Sequence, residues 1–423
     1  MKKQRLFIIS LDAFGASDLE FAKTLPNFKF LLERSALVEN VETVFPSLTY
    51  MCHTSISTGM YPHKHGVINN TKLQPNRLKP DWYWYDKDIQ SLTIFDIAHR
   101  AGYKTASFLW PVTGRSRSID YNLAEIFPNR PWQNQLMVSL YSSTPTFAYQ
   151  LNKKFGHLRK GIRQPELDEF ITAGVVDTIH NRNPDLMAVH FVDLDYMRHH
   201  YGVHSQEAKQ AIIRMDKHLG QILDAMREKG ILNGTALAIL GDHFQIDTHT
   251  VVRLNTLFKE KGWVKTDDKG AIIQWDVVAK DAGGACYIYT NDETKHQEIK
   301  ELLEQYPEYI ARIFTGEEAN QLGADPTCAF LIDAKEGYYF DGEAALPFTE
   351  PTAGNPDLHR ATHGFSPLRD HYDTMLMMSG PGIDSNAHIQ HARLVDEGPT
   401  FLHTLGLTFP YETDGDVLHD LFL

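Results

Sequence analysis

Leu186-Met187-Ala188-Val189-His190-Phe191-Val192, running on into Asp193-Leu194-Asp195, is the stretch on which the reading of the fold turns. Leu186 to Val192 is a near-continuous apolar run, the pattern of a strand covered on both faces. From about Ser205 to Lys229, Ala208, Ile212, Met215, Leu219, Ile222, Leu223 and Met226 recur at helical spacing on one face, and Gly230 supplies a stop. Ala236 to Leu240 is a second buried-strand run. Strand, helix and strand in that order make a right-handed crossover in a parallel sheet. Outward from this unit, Leu6 to Leu11, Thr105 to Trp110 and Met375 to Met378 read as further strands, so the expected class is α/β. From about Thr248 to Thr352 polar, acidic and Gly-containing segments surround short strand candidates at Cys286 to Thr290 and Ala329 to Ile332. The expected organisation is a catalytic core over residues 1–247 and 353–423, with an inserted cap over 248–352.

The 423 residues are 42% hydrophobic and 22% charged, an ordinary globular composition that excludes a disordered chain. A net charge of −13 argues against a general binder of nucleic-acid polymers, which needs a basic face, but leaves room for a small anionic substrate. Cys52, Cys286 and Cys328 are few, odd in number and without CxxC spacing, which argues against a cysteine-based zinc site or disulfide framework. The apolar stretch after Met1-Lys2-Lys3-Gln4-Arg5 is too short for a signal peptide. No run approaches the ~18 apolar residues of a membrane span. These features predict a soluble, cytoplasmic protein. Lys153, Lys154, Arg159, Lys160 and Arg163 form a loose basic cluster, read as a solvated helix face, with a membrane or anionic-partner patch as the other reading.

Four segments place Asp and His at strand ends, where open α/β sheets bind ligands. Asp12 directly follows the first strand, and Asp242-His243 follows Ile239-Leu240-Gly241. Asp195 and His199 are four apart, so a helix would put both on one face toward a divalent cation. Asp193 reads as structural and His200 as facing substrate. Pro46 and Ser47 suit a turn into a helix with Thr49 near its N-terminus, where free N–H groups favour an alkoxide and a phosphate. Taken singly, Thr49 or Ser47 reads as an N-cap and each Asp or His as a satisfied structural group. With His363 in Thr362-His363-Gly364-Phe365, three Asp and three His plus Thr49 compose an oxygen and imidazole set suited to two zinc-like ions. Two such ions would activate a nucleophile and stabilise a leaving oxygen in phosphoryl transfer.

In order along the chain, Leu11-Asp12, Phe45-Pro46-Ser47-Leu48-Thr49, Thr58-Gly59-Met60-Tyr61-Pro62-His63-Lys64-His65-Gly66, Trp110-Pro111, Asp195 to His199, Asp242-His243 and His363-Gly364 resemble the nucleotide pyrophosphatase/phosphodiesterase branch of the alkaline phosphatase superfamily. The resemblance implies an alkaline-phosphatase-like core, a mainly parallel sheet flanked by helices, with a smaller α+β cap. It also implies two Zn2+, one on Asp195, His199 and His363, the other on Asp12, Asp242 and His243, with manganese or iron also suiting these donors in one position. Thr49 matches the nucleophile, which also contacts the second metal. Asn70 matches the residue that holds a non-bridging phosphate oxygen, and Tyr50 an aromatic that packs on the substrate's organic group. The implied reaction is hydrolysis of a small phosphate ester, a nucleotide among them, through a phospho-threonine with retention of configuration. A phosphonate hydrolase or phosphomonoesterase on the same metals is the alternative, favoured if cationic groups such as Lys64, Arg198 or Lys280 face the site. Two residues depart from the family pattern, Phe244 where Gly commonly follows the Asp-His pair, and Arg198 where Gly precedes the matching His.

Overall fold

A computed structural model describes residues 3–423. Eight strands build the central sheet: β1 (Arg5–Leu11), β2 (Ala36–Glu42), β3 (Thr105–Phe108), β4 (Tyr121–Leu123), β5 (Leu186–Phe191), β6 (Thr235–Gly241), β7 (Thr374–Ser379) and β8 (His388–Arg393). Their spatial order is β8-β2-β7-β6-β1-β5-β3-β4. All neighbours run parallel except β7, the Met375–Met378 run, which is antiparallel to both β2 and β6. The near-continuous apolar runs have their reason in burial on both sides. Along β1, Leu6 and Ile8 enter one hydrophobic core while Phe7, Ile9 and Leu11 enter the other.

The crossover from β5 to β6 passes over β1. Its long helix covers Gln206–Glu228, with the Ser205 hydroxyl accepting from the Ala208 N–H at 3.1 Å as N-cap. Ala208, Ile212, Met215, Leu219, Ile222, Leu223 and Met226 are buried, and Gly230 takes a φ of +70° where the helix stops. No helix is long and apolar enough to cross a membrane among the described residues.

After β6 the strand Ile246–Val252 pairs with Gly337–Phe340, Thr349–Pro351 and Ala361–Thr362. Between them lies an antiparallel four-stranded sheet of Val277–Ala282, Ala285–Thr290, Phe330–Ala334 and Ile310–Thr315. Its hairpin Ala282-Gly283-Gly284 leans on the segment that carries His363: the Gly284 N–H donates to the His363 carbonyl at 2.8 Å. Contact is so close that a Cβ on Gly364, at a φ of +93°, would stand 1.8 Å from the Ala282 carbonyl oxygen.

Candidate metal centre and active site

Sheet register brings the acidic residues together. Leu11 pairs with Phe191 on one side and with Gly241 on the other, so Asp12 and Asp242 emerge side by side at the carboxyl ends of β1 and β6. Gly241 allows the close turn, since a Cβ there would lie 1.9 Å from the Phe14 carbonyl oxygen. After β5 the chain enters the helix Asp193–Tyr201, which presents Asp195 and His199 from one face, with His199 Nε2 3.2 Å from Asp195 Oδ1.

Thr49 is the first residue of the helix Thr49–Thr58, preceded by extended Leu48. No side chain caps this helix, so neither Ser47 nor Thr49 spends its hydroxyl as an N-cap. Thr49 Oγ1 lies instead 3.1 Å from His243 Nε2. Ser47 ties the nucleophile loop to the far segment: its hydroxyl accepts from the Gly364 N–H at 3.1 Å, and its carbonyl lies 3.0 Å from His363 Nδ1.

Three donor clusters result, Asp12 with Asp242 and His243, Asp195 with His243 and His363, and, behind the first, His53 with His190 and Asp242, each with ligand atoms mutually within 4.8 Å. His199 joins the second through Asp195. Asp12 Oδ1 and Asp242 Oδ2 each approach His243 Nε2 at 3.3 Å, yet neither oxygen receives a hydrogen bond although both are buried. Orphaned, converging carboxylate oxygens are what a cation site presents. Burial, then the facing Asp242 and Asp195 carboxylates, push the Asp12 carboxyl well above the usual range, and burial raises Asp242 to about 7. At Asp195 burial is outweighed by His199, His363 and His243, which hold its carboxyl below the usual range. Burial lowers His363 to about 4 and keeps the His243 ring neutral, the form that ligates metal.

The cleft above Thr49, of about 520 Å³, is lined by Asp12, Asp195, Glu125, Asp281, Asp341 and Asp357, and by no Lys or Arg among the described residues. Such a cleft repels a phosphate unless cations occupy it. The donor set therefore fits two divalent metals.

Tyr50 and Asn70 both line this cleft. Asn70 Oδ1 accepts from the Tyr50 N–H at 3.0 Å, which leaves its amide nitrogen as the end available to an anionic oxygen. The Tyr50 ring packs edge-on against Trp82 at 5.3 Å, and its hydroxyl donates to Glu125 at 3.1 Å. Asp193 is structural as expected, buried and paired with Arg214 at 2.6 Å. His200 is not substrate-facing: its ring is exposed, stacks on Tyr196 and bonds the Tyr196 carbonyl at 2.8 Å, because the helical turn that aims His199 inward aims the next residue out.

Lys64 and Arg198 also lie away from the site. Lys64 pairs with Asp414, and Arg198 is buried against the Ala13 carbonyl and Asp18. Lys280 donates to the Thr71 hydroxyl. The two departures from the family pattern meet one another, the Arg198 guanidinium lying over the Phe244 ring at 4.9 Å.

Sequence reasoning missed His190 and Glu125. His190 Nε2 lies 3.0 Å from Asp12 Oδ2, and its Nδ1 3.4 Å from Glu125 Oε2. The available signal was a histidine inside an otherwise apolar strand. His359, with its ring 4.2 Å from that of His199 at the cleft mouth, gave no comparable signal.

A family model described as Type I phosphodiesterase / nucleotide pyrophosphatase matches residues 6–366. The chain belongs to this family. Among curated members, human ectonucleotide pyrophosphatase/phosphodiesterase family member 1 is 23% identical over 248 residues, 56% of this chain and 23% of that protein. Venom phosphodiesterase 2 of Crotalus adamanteus is 24% identical over 250 residues, 56% of this chain and 26% of that one. The type I phosphodiesterase region matched here thus spans about a quarter of the length of these relatives. In fold, the chain is similar to murine ectonucleotide pyrophosphatase / phosphodiesterase 5, solved as an inactive form in complex with AMP. The TM-score is 0.70 at 18% identity, covering 100% of both chains.

Proposed function

We propose that this protein is a two-metal phosphodiesterase or nucleotide pyrophosphatase that works through Thr49. The observation that carries the reading is Thr49 Oγ1 at 3.1 Å from His243 Nε2, at a helix start, with His243 shared by two donor clusters and the Asp12 and Asp242 oxygens that face it left without hydrogen bonds. Asp195, His199 and His363 would hold one zinc, and Asp12, Asp242 and His243 the other, with Thr49 reaching the second. The metals supply Lewis acidity to the attacking and leaving oxygens. Thr49 attacks phosphorus in line, the leaving group departs, and water then hydrolyses the phospho-threonine, so configuration is retained. The Asn70 amide and the free N–H groups at the start of the Thr49 helix hold the equatorial oxygens. Tyr50 with Trp82 forms an aromatic wall for the organic substituent, a nucleoside among the candidates, consistent with AMP in the murine relative. Residues 248–352 act as the cap, contributing Asp281 and Asp341 to the cleft.

A diester or pyrophosphate is favoured over a monoester dianion or phosphonate because Lys64 and Arg198 are committed elsewhere, Lys280 is bonded to Thr71 of the cleft wall without lining the cleft itself, and the lining is acidic. A cytoplasmic setting belongs to the same proposal, in keeping with three unpaired, buried cysteines. The test is a panel of a chromogenic phosphodiester, a nucleoside triphosphate, a phosphomonoester and a phosphonate, with wild type and Thr49→Ala. Hydrolysis of the diester or triphosphate, abolished in Thr49→Ala while metal stays bound, supports the reading. Full activity in Thr49→Ala sinks the nucleophile.

A further inference from the structure

From Ile126 to Pro165 there is no Asp or Glu, while Arg130, Lys153, Lys154, Arg159, Lys160 and Arg163 make the stretch strongly basic in a chain of net charge −13. The same stretch holds six of the thirteen exposed large hydrophobic side chains among the described residues, although it is under a tenth of the chain. Trp132 is 75% exposed and Met137 59%, and Leu136, Tyr141, Tyr149 and Ile162 accompany them. The helix Gln135–Ser142 carries no charged residue, so its solvent side is apolar as well as its core side. Ordinary surface helices put charge there.

Two of these residues, Leu136 and Ile162, border an opening. A cavity of about 610 Å³ lies between this helix, the helix Pro145–Phe155 and residues 159–164, with walls that include Leu123, Ile126, Phe127, Leu140, Leu167 and Phe170. The exposed Leu136 and Ile162 line it, as do Lys160 and Arg163. The cavity shares Trp82, Glu125 and Asp195 with the metal cleft. Its volume is that of a pocket for a drug-sized apolar ligand.

We propose that residues 126–165 form an interfacial face that seats the protein on an anionic lipid surface. Charge complementarity identifies the occupant. A protein of net −13 is repelled by an anionic bilayer as a whole, so the orientation that presents this acid-free run of sequence is the favourable one. Lys153, Lys154, Lys160 and Arg163 are exposed; Lys154 and Lys160 pair with the largely covered Asp177 and Glu166, and Arg130 with Asp81, so Lys153 and Arg163 are exposed cations in no ion pair among the described residues. Trp132, Tyr141 and Tyr149 are the side chains that settle at the headgroup level, while Leu136, Met137 and Ile162 suit the acyl boundary below it.

The docking stands apart from the catalytic reading and is measured as binding alone, on the full chain carrying Thr49→Ala. The probe is a set of vesicles of phosphatidylcholine, with or without phosphatidylglycerol, read by co-sedimentation. Sedimentation with the anionic vesicles, weakened by added salt, is expected. Lys153→Ala with Arg163→Ala should weaken partitioning about thirtyfold. Met137→Glu with Ile162→Asp should abolish it, and both pairs should keep the parent's melting temperature. No sedimentation with either vesicle, equal binding to neutral vesicles, or binding unchanged in folded variants would each overturn the proposal. So would a dimer in solution that Met137→Glu turns into a monomer, since a second copy would then be what covers the face.

Discussion

His190 stands between two carboxylates, 3.0 Å from Asp12 Oδ2 and 3.4 Å from Glu125 Oε2, and Glu125 in turn accepts from the Tyr50 hydroxyl. A group behind a candidate metal ligand fixes which oxygen faces the metal and how basic it is. His190→Phe is therefore expected to lower metal affinity by about 10- to 100-fold with the fold retained, measured by competition with a chromogenic chelator. Unchanged affinity would make His190 a packing residue only. Arg198 and Phe244 form the second local unit. A Cβ on Gly15 would strike the Phe244 ring at 2.3 Å, so the ring occupies a slot that this glycine keeps open. Removing the cation or the ring should be strongly coupled: a double-mutant cycle of Arg198→Met and Phe244→Ala is expected to give about 1 kcal/mol of interaction in denaturant melts. Asp12, Asp195, His199, Asp242, His243 and His363 were all marked by position at predicted strand ends or in Gly-flanked turns. The partners that orient them were not, because a buried histidine in one strand has no sequence relation to the carboxylate beside it in the next.

At the scale of elements, the helix Asp193–Tyr201 is held at its start by Asp168, which accepts from the N–H groups of Val192 and Asp193 at 3.1 and 3.0 Å. Burial, with Asp193 beside it, pushes the Asp168 carboxyl from 3.8 up to about 7. The native state thus keeps this proton where the unfolded chain has lost it, so the group's contribution to stability is present at low pH and is lost as pH rises from about 4 to about 7. The slope is at most about 1.4 kcal/mol per pH unit. Asp168→Asn should flatten that part of the stability profile, checked by urea melts at several pH values across the window. The hairpin 282–284 is the second such element, because it clamps His363 from the other side of the cleft. Gly364→Ala, at a φ of +93° and against the Ala282 carbonyl, should destabilise by about 1–3 kcal/mol and release metal, read by thermal melting and metal content. The sequence marked strand candidates in this region but not their contact with residue 363, which depends on pairing between segments far apart in the chain.

Across the whole molecule, a chain of net −13 carries an acidic cleft that faces a basic, apolar-rimmed flank through a shared wall at Trp82, Glu125 and Asp195. Without cations, Asp12, Asp195 and Asp242 oppose one another inside the fold, so metal binding and folding are linked. Chelation should lower the melting temperature. At a thousandfold excess of free metal over its dissociation constant, one site stabilises by about 4 kcal/mol, and calorimetry with and without zinc checks it. If chelation leaves the transition unmoved, the clusters do not hold metal in the native state. What the sequence determined by itself was the periodicity of the elements and the kinds of ligand offered: apolar runs for a sheet covered on both faces, a helix with one buried stripe, and Asp, His and Thr at their ends. These are local properties, written in spacing and residue type. Tertiary structure alone decided that β7 runs antiparallel, that Asp12 and Asp242 emerge beside each other from paired strands, that His200 and Arg198 turn away, and that the basic residues near 160 border a cavity reaching Asp195. Each depends on register and packing between segments tens to hundreds of residues apart, set by how two cores fill on opposite faces of one sheet.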